Sequence, residues 1–240
     1  MPLNRSKGNM YPWVTHTWNP IKGRCPHRCS YCYMRRFKLR EPRLVESELG
    51  ENLGSGNTIF VGSSIDMWAE QIPDEWISRV LERCRAWEGE NTFVFQSKNP
   101  GRFYRFAGEL PRRRLLGTTI ETDTEELIAR HSSAPPLRRR LVPLDFVSIE
   151  PIMRCNPVKL AGIVYETFAG FVSIGADSQK SGLPEPKAGD VWLLVRRLRQ
   201  MGIKVRLKDN LRRIYPYGVG QEALPLPTCD GRGRSEAKGE

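Results

Sequence analysis

The sequence predicts an α/β fold, namely a partial or open (β/α)6-type, TIM-like barrel of parallel strands. Short apolar runs rich in β-branched residues recur along the 240-residue chain, helix-like stretches separate them, and each run ends in small or polar residues. Strands of a parallel sheet have this composition because both of their faces are buried. Six or seven such βα units in succession indicate a barrel or an open part of one.

The predicted strands share an apolar composition on both faces. The runs are 57–64, 91–98, 114–121, 144–151, 169–176 and 202–209, preceded by an early strand near 15–20. Each is short enough to be a strand rather than a helix. We therefore expect their carboxyl ends to meet at one edge of the sheet, where parallel α/β folds build their sites.

Two stretches are predicted as helices with clear boundaries. Segment 73–90 has Pro73 and acidic residues at its start and apolar residues at helical spacing, and segment 188–202 ends at Gly202. Segments 101–107 and 123–131 are shorter and weaker helical patterns. The loops 132–143 and 178–189 do not divide the chain. We expect a single domain over 1–228 and a disordered, Gly- and charge-rich tail over 229–240.

The charge balance indicates a polyanionic partner. The chain has 38 Lys and Arg against 27 Asp and Glu, a formal net charge of +11, which favours nucleic acid but is equally compatible with a solvated basic surface. No apolar run approaches the roughly 18 residues that cross a bilayer, and the N-terminus lacks the apolar centre of a signal peptide. We therefore expect a cytoplasmic protein, in which clustered thiols are metal ligands rather than disulfides.

Three of the six cysteines, Cys25, Cys29 and Cys32, are spaced C-x3-C-x2-C on the loop after the early strand. A structural zinc site usually has four ligands in two separated pairs. His27 is a candidate fourth ligand, but it lies inside the gap between Cys25 and Cys29. Three thiolates on one loop instead suit a [4Fe–4S] cluster whose fourth iron is open to a small molecule. An open coordination position favours catalysis over a structural role.

This cysteine motif, with Tyr31 directly before its last cysteine, resembles that of the radical S-adenosylmethionine (radical SAM) superfamily. Within it, the stretches "VGSSIDMW", "FQSKNP", "GTTIET" and "SIEPI" resemble a phage-associated family of radical-SAM-like proteins of undefined activity. The resemblance implies that Cys25, Cys29 and Cys32 hold a [4Fe–4S] cluster and that SAM binds its fourth iron. It also implies that the chain cleaves SAM reductively to a 5′-deoxyadenosyl radical, which abstracts hydrogen from a substrate.

The resemblance also implies a set of SAM contacts. Tyr31 would lie against the adenine, and the strand end at Gly62, Ser63 and Ser64 would bind the amino group. This strand end departs from the Gly-Gly-Glu-like stretch usual in the superfamily, and Asp66 is the nearest acid. The ribose contacts would come from two later strand ends: Thr119, Glu121, Ser148 and Glu150. An electron donor such as flavodoxin or ferredoxin is implied as a partner, with nucleic acid as the leading substrate class.

Other residues have two interpretations each. Cys155 is a candidate hydrogen-atom donor or an unused loop thiol, and Cys84 is a core residue by its helical spacing. Lys98 and Lys208 end strands and are candidates for binding a substrate anion or for solvated surface. For nucleic acid, we expect Arg138–Arg140 to contribute less than basic residues nearer the cysteines and the third strand. The favoured set is Arg35, Arg36, Lys38, Lys98, Arg102 and Arg105.

Two functions of different class therefore remain. The first is a radical SAM enzyme, favoured by the acids at the predicted strand ends. The second is a nucleic-acid-binding protein with a structural or redox-sensing iron–sulfur cluster and no SAM turnover, favoured by the missing Gly-Gly-Glu pattern. The sequence does not name the substrate or the bond that is attacked.

Overall fold

A mostly parallel sheet forms the centre of the protein. The structure is a computed structural model that describes residues 3–216. The strands, in chain order, are β1 (Asn4–Arg5), β2 (His16–Trp18), β3 (Ile21–Lys22), β4 (Arg43–Leu44), β5 (Thr58–Val61), β6 (Thr92–Ser97), β7 (Arg114–Thr119), β8 (Phe146–Ile149), β9 (Phe171–Ile174) and β10 (Lys204–Leu207). Within the described residues the main sheet has eight strands in the order β1-β2-β5-β6-β7-β8-β9-β10, and β3 pairs with β4 in a separate hairpin.

The pairing confirms the predicted fold class. From β2 through β10 every neighbouring pair in the main sheet is parallel, and only β1 runs antiparallel to its neighbour. The architecture is that of a partial TIM-like barrel. Each of the seven predicted strands is present, although each is shorter than the apolar run that predicted it. The carboxyl ends of the parallel strands meet at one edge of the sheet.

Five α-helices connect the strands in the described residues: α1 (Glu46–Leu49), α2 (Asp74–Ala86), α3 (Glu125–His131), α4 (Pro157–Tyr165) and α5 (Ala188–Gln200). Both well-bounded predicted helices are confirmed as α2 and α5, and segment 123–131 contains α3. Segment 101–107 forms a 3₁₀ helix instead, over Pro100–Phe106. The sequence reasoning missed α4, which begins after Asn156, whose side chain caps the backbone N–H groups of Val158 and Lys159.

Aromatic side chains fill the inside of the partial barrel. Phe146 and Phe171 stack with ring centroids 5.3 Å apart, and Tyr11 and Trp13 from the N-terminal segment pack against them. Gly117 makes this packing possible, because a Cβ at that position would lie 2.3 Å from the Phe146 ring. The interior below the strand ends is therefore solid, and any ligand must bind at the carboxyl edge.

Two larger apolar clusters cover the outer faces of the sheet, one around α2 with β5 and β6 and the other around α4 and α5 with β8, β9 and β10. Cys84 is fully buried in the first cluster, as its helical spacing predicted. In residues 3–216, no helix combines the length and the apolar composition that crossing a membrane requires. The predicted disordered tail, 229–240, lies outside the described residues, and the single domain over 1–228 stays a prediction.

Candidate functional site

A cavity of about 290 Å³ opens at the carboxyl edge of the sheet. Its walls come from the cysteine loop, the segment after β5, and the ends of β6, β7, β8 and β9. Among the predicted site residues, those that line it are Cys25, Cys29, Tyr31, Cys32, Gly62, Ser63, Thr119 and Glu150. Residues that lie far apart in the sequence are therefore brought to one place by the parallel strand order.

The three cysteines line this cavity but are not grouped as a metal site. Cys29 is buried with its Sγ 3.2 Å from Ser132 Oγ, whereas Cys25 and Cys32 are half-buried. Burial, reinforced by the charge of Asp66, raises the pKa of Cys25 to about 12, and burial also raises the pKa of Cys32. No set of three or more His, Cys, Asp or Glu side chains in residues 3–216 is positioned to hold a metal ion. A metal bound by these thiols would displace their protons.

Asp66 anchors the cysteine loop to the ends of two strands. Its Oδ2 lies 2.9 Å from His27 Nε2 and accepts hydrogen bonds from Ser97 Oγ and the Lys98 N–H, each over 2.9 Å. Burial alone would raise the pKa of Asp66, but His27 and these hydrogen bonds outweigh it and lower the pKa. Asp66, noted in the sequence only as the nearest acid to Ser64, therefore fixes His27 between Cys25 and Cys29.

The predicted amino-group contacts are divided between two surfaces. Gly62 and Ser63 line the cavity, but Ser64 does not. Asn19 holds this strand end, since its Oδ1 accepts from Ser63 Oγ over 3.1 Å and from the Ser64 N–H over 2.9 Å. Gly62 has φ +80°, a conformation that favours glycine.

Glu121 is fully buried and does not line the cavity. Its Oε2 accepts from Arg140 Nη1 over 2.8 Å, and its Oε1 accepts from Lys98 Nζ and from the Tyr31 hydroxyl. Burial alone would raise the pKa of Glu121, but the charges of Lys98 and Arg140 outweigh it and lower the pKa to about 2. Both oxygens of this predicted ribose contact therefore have partners within the protein, and its role toward SAM stays a prediction.

Glu150 lines the cavity and also carries several internal contacts. Its Oε2 lies 2.7 Å from Lys208 Nζ, and its Oε1 accepts from Asn9 Nδ2 over 2.6 Å and from Asn210 Nδ2 over 2.9 Å. These contacts join β8, β10 and the N-terminal segment at the carboxyl edge. Gly175 is packed against this carboxylate, because a Cβ there would lie 2.5 Å from Glu150 Oε1.

Thr119 and Ser148 lie at neighbouring strand ends. Thr119 lines the cavity and its Oγ1 accepts from Gln96 Nε2 over 2.8 Å, whereas Ser148 is buried and does not line it. Ser148 contacts Tyr11, whose hydroxyl donates to Gln96 Oε1 over 2.8 Å. Of these two predicted ribose contacts, Thr119 is therefore accessible from the cavity and Ser148 is not.

Cys155 lies away from the cavity lining. It is half-buried against the cluster around α4 and α5, and burial together with the charges of Asp123 and Asp190 raises the pKa of its thiol to about 12. Its role as a hydrogen-atom donor stays a prediction. Cys229, for which the sequence indicated no role, lies outside the described residues.

Several basic residues named for nucleic-acid binding are buried instead. Arg102 donates to Ile72 O over 2.6 Å and pairs with Asp74, and Arg140 pairs with Glu121. Lys98 is paired with the buried Glu121, and Lys208 is paired with the half-buried Glu150. The prediction that Arg102 faces a polyanion is therefore wrong, because Arg102 is buried and engaged by Ile72 O and Asp74. Lys98 lines the cavity, and its role toward a polyanion stays a prediction. Arg35, Arg36 and Lys38 are exposed, as that prediction requires.

Sequence reasoning missed several polar residues that build the site. Asn9 and Asn210 orient Glu150, and Gln96 orients Tyr11 and Thr119. Asn19 holds Ser63 and Ser64. Gln96 stands in a polar position near the end of β6 and could have been found from that position. Asn9 and Asn210 lie in irregular segments, where only tertiary contacts identify them.

Comparison with known proteins gives a fold relationship and a family. A search of curated proteins found no match. A tyrosine-to-phenylalanine mutant of spore photoproduct lyase matches with a TM-score of 0.62 and 10% identity, over 82% of this chain and 78% of that chain. A cysteine-to-serine mutant of the same enzyme matches with a TM-score of 0.60 and 11% identity, over 85% and 80%.

A third structure, a spore photoproduct lyase double mutant with bound AdoMet and dinucleoside spore photoproduct, matches with a TM-score of 0.54 and 11% identity, over 80% of this chain and 63% of that chain. At these identities the likeness establishes a shared fold. The sequence itself matches a family profile over residues 9–181, most of the chain. The chain therefore belongs to the family described as "Protein of unknown function (DUF5131)".

Proposed function

We propose that the chain is a radical SAM enzyme, which binds a [4Fe–4S] cluster through Cys25, Cys29 and Cys32 and cleaves SAM reductively. The observation that carries the proposal is the position of these three thiols. All three line the cavity at the carboxyl edge of the sheet, which is also bounded by the polar ends of β6, β7 and β8. Thiolates of this kind are the usual ligands of iron–sulfur clusters.

The fold relationship supports the same function. Spore photoproduct lyase is a radical SAM enzyme, and one of its structures contains AdoMet. The shared fold alone does not carry an activity. The C-x3-C-x2-C spacing on the loop after β3 adds the donor set that the activity needs.

The residues present fit the cluster in chemistry and in access. Three sulfur donors lie on one loop at the edge of a cavity, and His27, inside that loop, is held 2.9 Å from Asp66. His27 is thereby engaged as a structural partner of the loop rather than as a fourth ligand. The thiols would lose their protons on binding iron, and the iron–thiolate bonds would offset the cost of deprotonating Cys25 and Cys32, whose pKa values are raised by burial.

When bound, the cluster and SAM supply one-electron cleavage of the sulfonium and the 5′-deoxyadenosyl radical. The chain's own residues would bind and orient SAM and exclude water. Glu150 is the predicted SAM-contacting acid that lines the cavity, and its partners Lys208, Asn9 and Asn210 fix its carboxylate in place. Gly62 and Ser63 also line the cavity and offer backbone and hydroxyl groups. The aromatic interior closes the floor.

Anaerobic reconstitution with iron and sulfide, followed by iron analysis and an assay for 5′-deoxyadenosine from SAM and dithionite, tests the proposal. We expect about four irons per chain and 5′-deoxyadenosine formation by the wild type. Cys25→Ala, Cys29→Ala and Cys32→Ala should each lose the iron. Cys84→Ala is the matched control, since it removes a thiol that lies in the core, and it should keep the iron.

The assay also separates the second function. A chain that holds four irons but forms no 5′-deoxyadenosine would be an iron–sulfur protein with a structural or redox-sensing cluster. The internal partners of both Glu121 oxygens favour that alternative, because of the two predicted acidic SAM contacts they leave Glu150 as the one that lines the cavity. Tight binding of a single zinc with no iron would contradict both functions.

A further inference from the structure

The segment 22–43, which carries the cysteines, also carries a concentration of positive charge. It contains eight basic residues and one acid, Glu41. Seven of the basic residues form no ion pair with any carboxylate of residues 3–216. They are Arg24, Arg28, Arg35, Arg36, Lys38, Arg40 and Arg43. Elsewhere on the surface, cations such as Arg79 and Arg213 are paired with acids.

Six of these seven residues line two adjoining concavities. One, of about 500 Å³, is lined by Arg24, Arg28, Arg35, Phe37, Lys38 and Leu39. The second, of about 270 Å³, shares Lys38 and Leu39 and extends to Arg40, Arg43 and Ser64. The seven cations together with Tyr33 and Phe37 are called here the basic surface. Its concave shape and uncompensated charge suit an extended polyanion.

Aromatic rings are interleaved with these cations. Phe37 is 50% exposed and Tyr33 is 38% exposed, and Arg36 lies over both, with its Cζ 5.0 Å and 5.9 Å from the two ring centroids. Exposed rings among arginines give unpaired bases a surface to stack on while the guanidinium groups bind phosphates. An acidic protein partner would use the charge but would have no need of the rings.

The basic surface is continuous with the mouth of the cavity. One loop lines both the basic surface and the cavity, because Arg24, Arg28 and Arg35 are interspersed in sequence with the three cysteines. Tyr33 lines the cavity itself, and its hydroxyl donates to Ser63 O over 3.0 Å. Ser63 lines the cavity and Ser64 lines the second concavity. An extended polyanion bound on the basic surface would pass the site where we propose that SAM is cleaved.

We propose that the basic surface binds the phosphate backbone of a single-stranded nucleic acid and presents an unpaired base at the cavity. The substrate role rests on the proposed function, whereas the binding is independent of SAM cleavage. Counterion release makes such binding steeply dependent on salt, with a slope of roughly 0.7 per phosphate contact on a single strand. DNA and RNA share the recognised chemistry.

The test measures fluorescence anisotropy of labelled oligo-dT and oligo-U of equal length, with reconstituted protein, over a range of salt concentrations. The variant Arg28→Glu/Arg35→Glu/Lys38→Glu removes three cations of the basic surface. The control Arg138→Glu/Arg139→Glu/Arg197→Glu changes the net charge equally at exposed positions away from the cavity. Circular dichroism melting curves establish that both variants are folded.

We expect the first variant to lose about tenfold or more in affinity at low salt and to lower the salt slope by about two, while the control loses less than about threefold. Phe37→Ala should weaken binding of the single strand by about fivefold, and it should weaken binding of a duplex of the same length much less. The relative affinity for oligo-dT and oligo-U distinguishes a DNA partner from an RNA partner.

Several outcomes would overturn the proposal. Equal losses in the two triple variants would mean a diffuse basic field, and no wild-type binding at low salt would remove nucleic acid as a ligand. The first triple variant could bind oligonucleotides as tightly as the wild type while an acidic flavodoxin reduces its cluster more slowly. That result would make the basic surface a docking site for the electron donor. If oligonucleotides bind as expected but no 5′-deoxyadenosine forms, the proposed function fails and the binding surface stands.

Discussion

Arg140 Nη1 lies 2.8 Å from Glu121 Oε2, and neither side chain is accessible to solvent. Lys98 and the Tyr31 hydroxyl contact the other oxygen of Glu121, and Arg140 also donates to Thr119 O over 2.8 Å. This buried cluster ties the loop 132–143 and the ends of β6 and β7 to the cysteine loop. We therefore expect Arg140 and Glu121 to hold Tyr31 and Lys98, which line the cavity, in place.

Removing one cation from this cluster should be costly. Arg140→Met leaves Glu121 with one cation fewer in a buried site, and breaking a buried pair in this way typically costs about 3–5 kcal/mol. Arg139→Met, next to it but exposed, should change the free energy of unfolding by about 0.5 kcal/mol or less. Chemical denaturation of the two variants measures the difference. A small effect at Arg140 would mean that solvent enters the cluster.

The same cluster predicts an acid-dependent stability. The pKa of Glu121 is about 2 in the folded chain against an ordinary value of 4.5. A carboxyl with a lowered pKa contributes stability above its unfolded pKa and loses it as the pH falls through the folded one. This contribution, on the order of 3 kcal/mol, is therefore expected in full above about pH 4.5 and should disappear toward about pH 2.

Comparison with Glu121→Gln isolates this effect from other carboxyl groups. The difference in unfolding free energy between wild type and variant should be largest near neutral pH and should shrink as the pH falls below about 4.5. Urea denaturation at a series of pH values gives the difference directly. A constant difference across the series would show that the charge of Glu121 does not stabilise the fold.

Most of the strands were predictable from sequence because they are largely apolar on both faces. Thr58–Val61 and Phe146–Ile149, for instance, are buried at every position. Helix α4 was missed because Pro157–Tyr165 is itself mostly apolar and lacks a polar face to mark a helical period. The three cysteines could be predicted as one site because they share a loop. The charge partners of the buried acids could not be predicted, because Arg140 and Arg102 look like surface residues in the sequence and are buried only by tertiary packing.

Asp66→Asn should impair cluster assembly. The substitution keeps the shape of the side chain but removes the charge that faces His27, and Asp66 also accepts from Ser97 and the Lys98 N–H. A loop that is held less firmly should bind iron more weakly, and loss of a second-sphere partner of this kind typically costs about 10–100-fold in metal affinity. Iron content after reconstitution at limiting iron is the measurement, with Asp209→Asn, at an exposed acid, as the control.

Glu150→Ala should weaken SAM binding, because Glu150 is a predicted SAM contact that lines the cavity. Hydrogen bonds to a charged group contribute about 1.5–3 kcal/mol, so affinity should fall roughly 10- to 150-fold. Cluster content should not change. Equilibrium binding of SAM to the reconstituted variant, with Glu166→Ala as a control outside the cavity lining, measures the effect. Unchanged affinity in Glu150→Ala would assign the SAM contacts to other residues.

Gly175→Ala tests the position of this carboxylate without removing any polar group. A Cβ at 175 would lie 2.5 Å from Glu150 Oε1 and 3.0 Å from Asn210 Oδ1, so the methyl group must displace Glu150 from its present contacts. Gly170→Ala is the matched control, since its Cβ would lie 3.7 Å from Asp145 O, an ordinary contact. We expect Gly175→Ala to lower SAM affinity by about tenfold, the equivalent of about one hydrogen bond, with iron content unchanged. Equal SAM affinity in the two glycine variants would mean that the orientation of Glu150 does not matter for SAM.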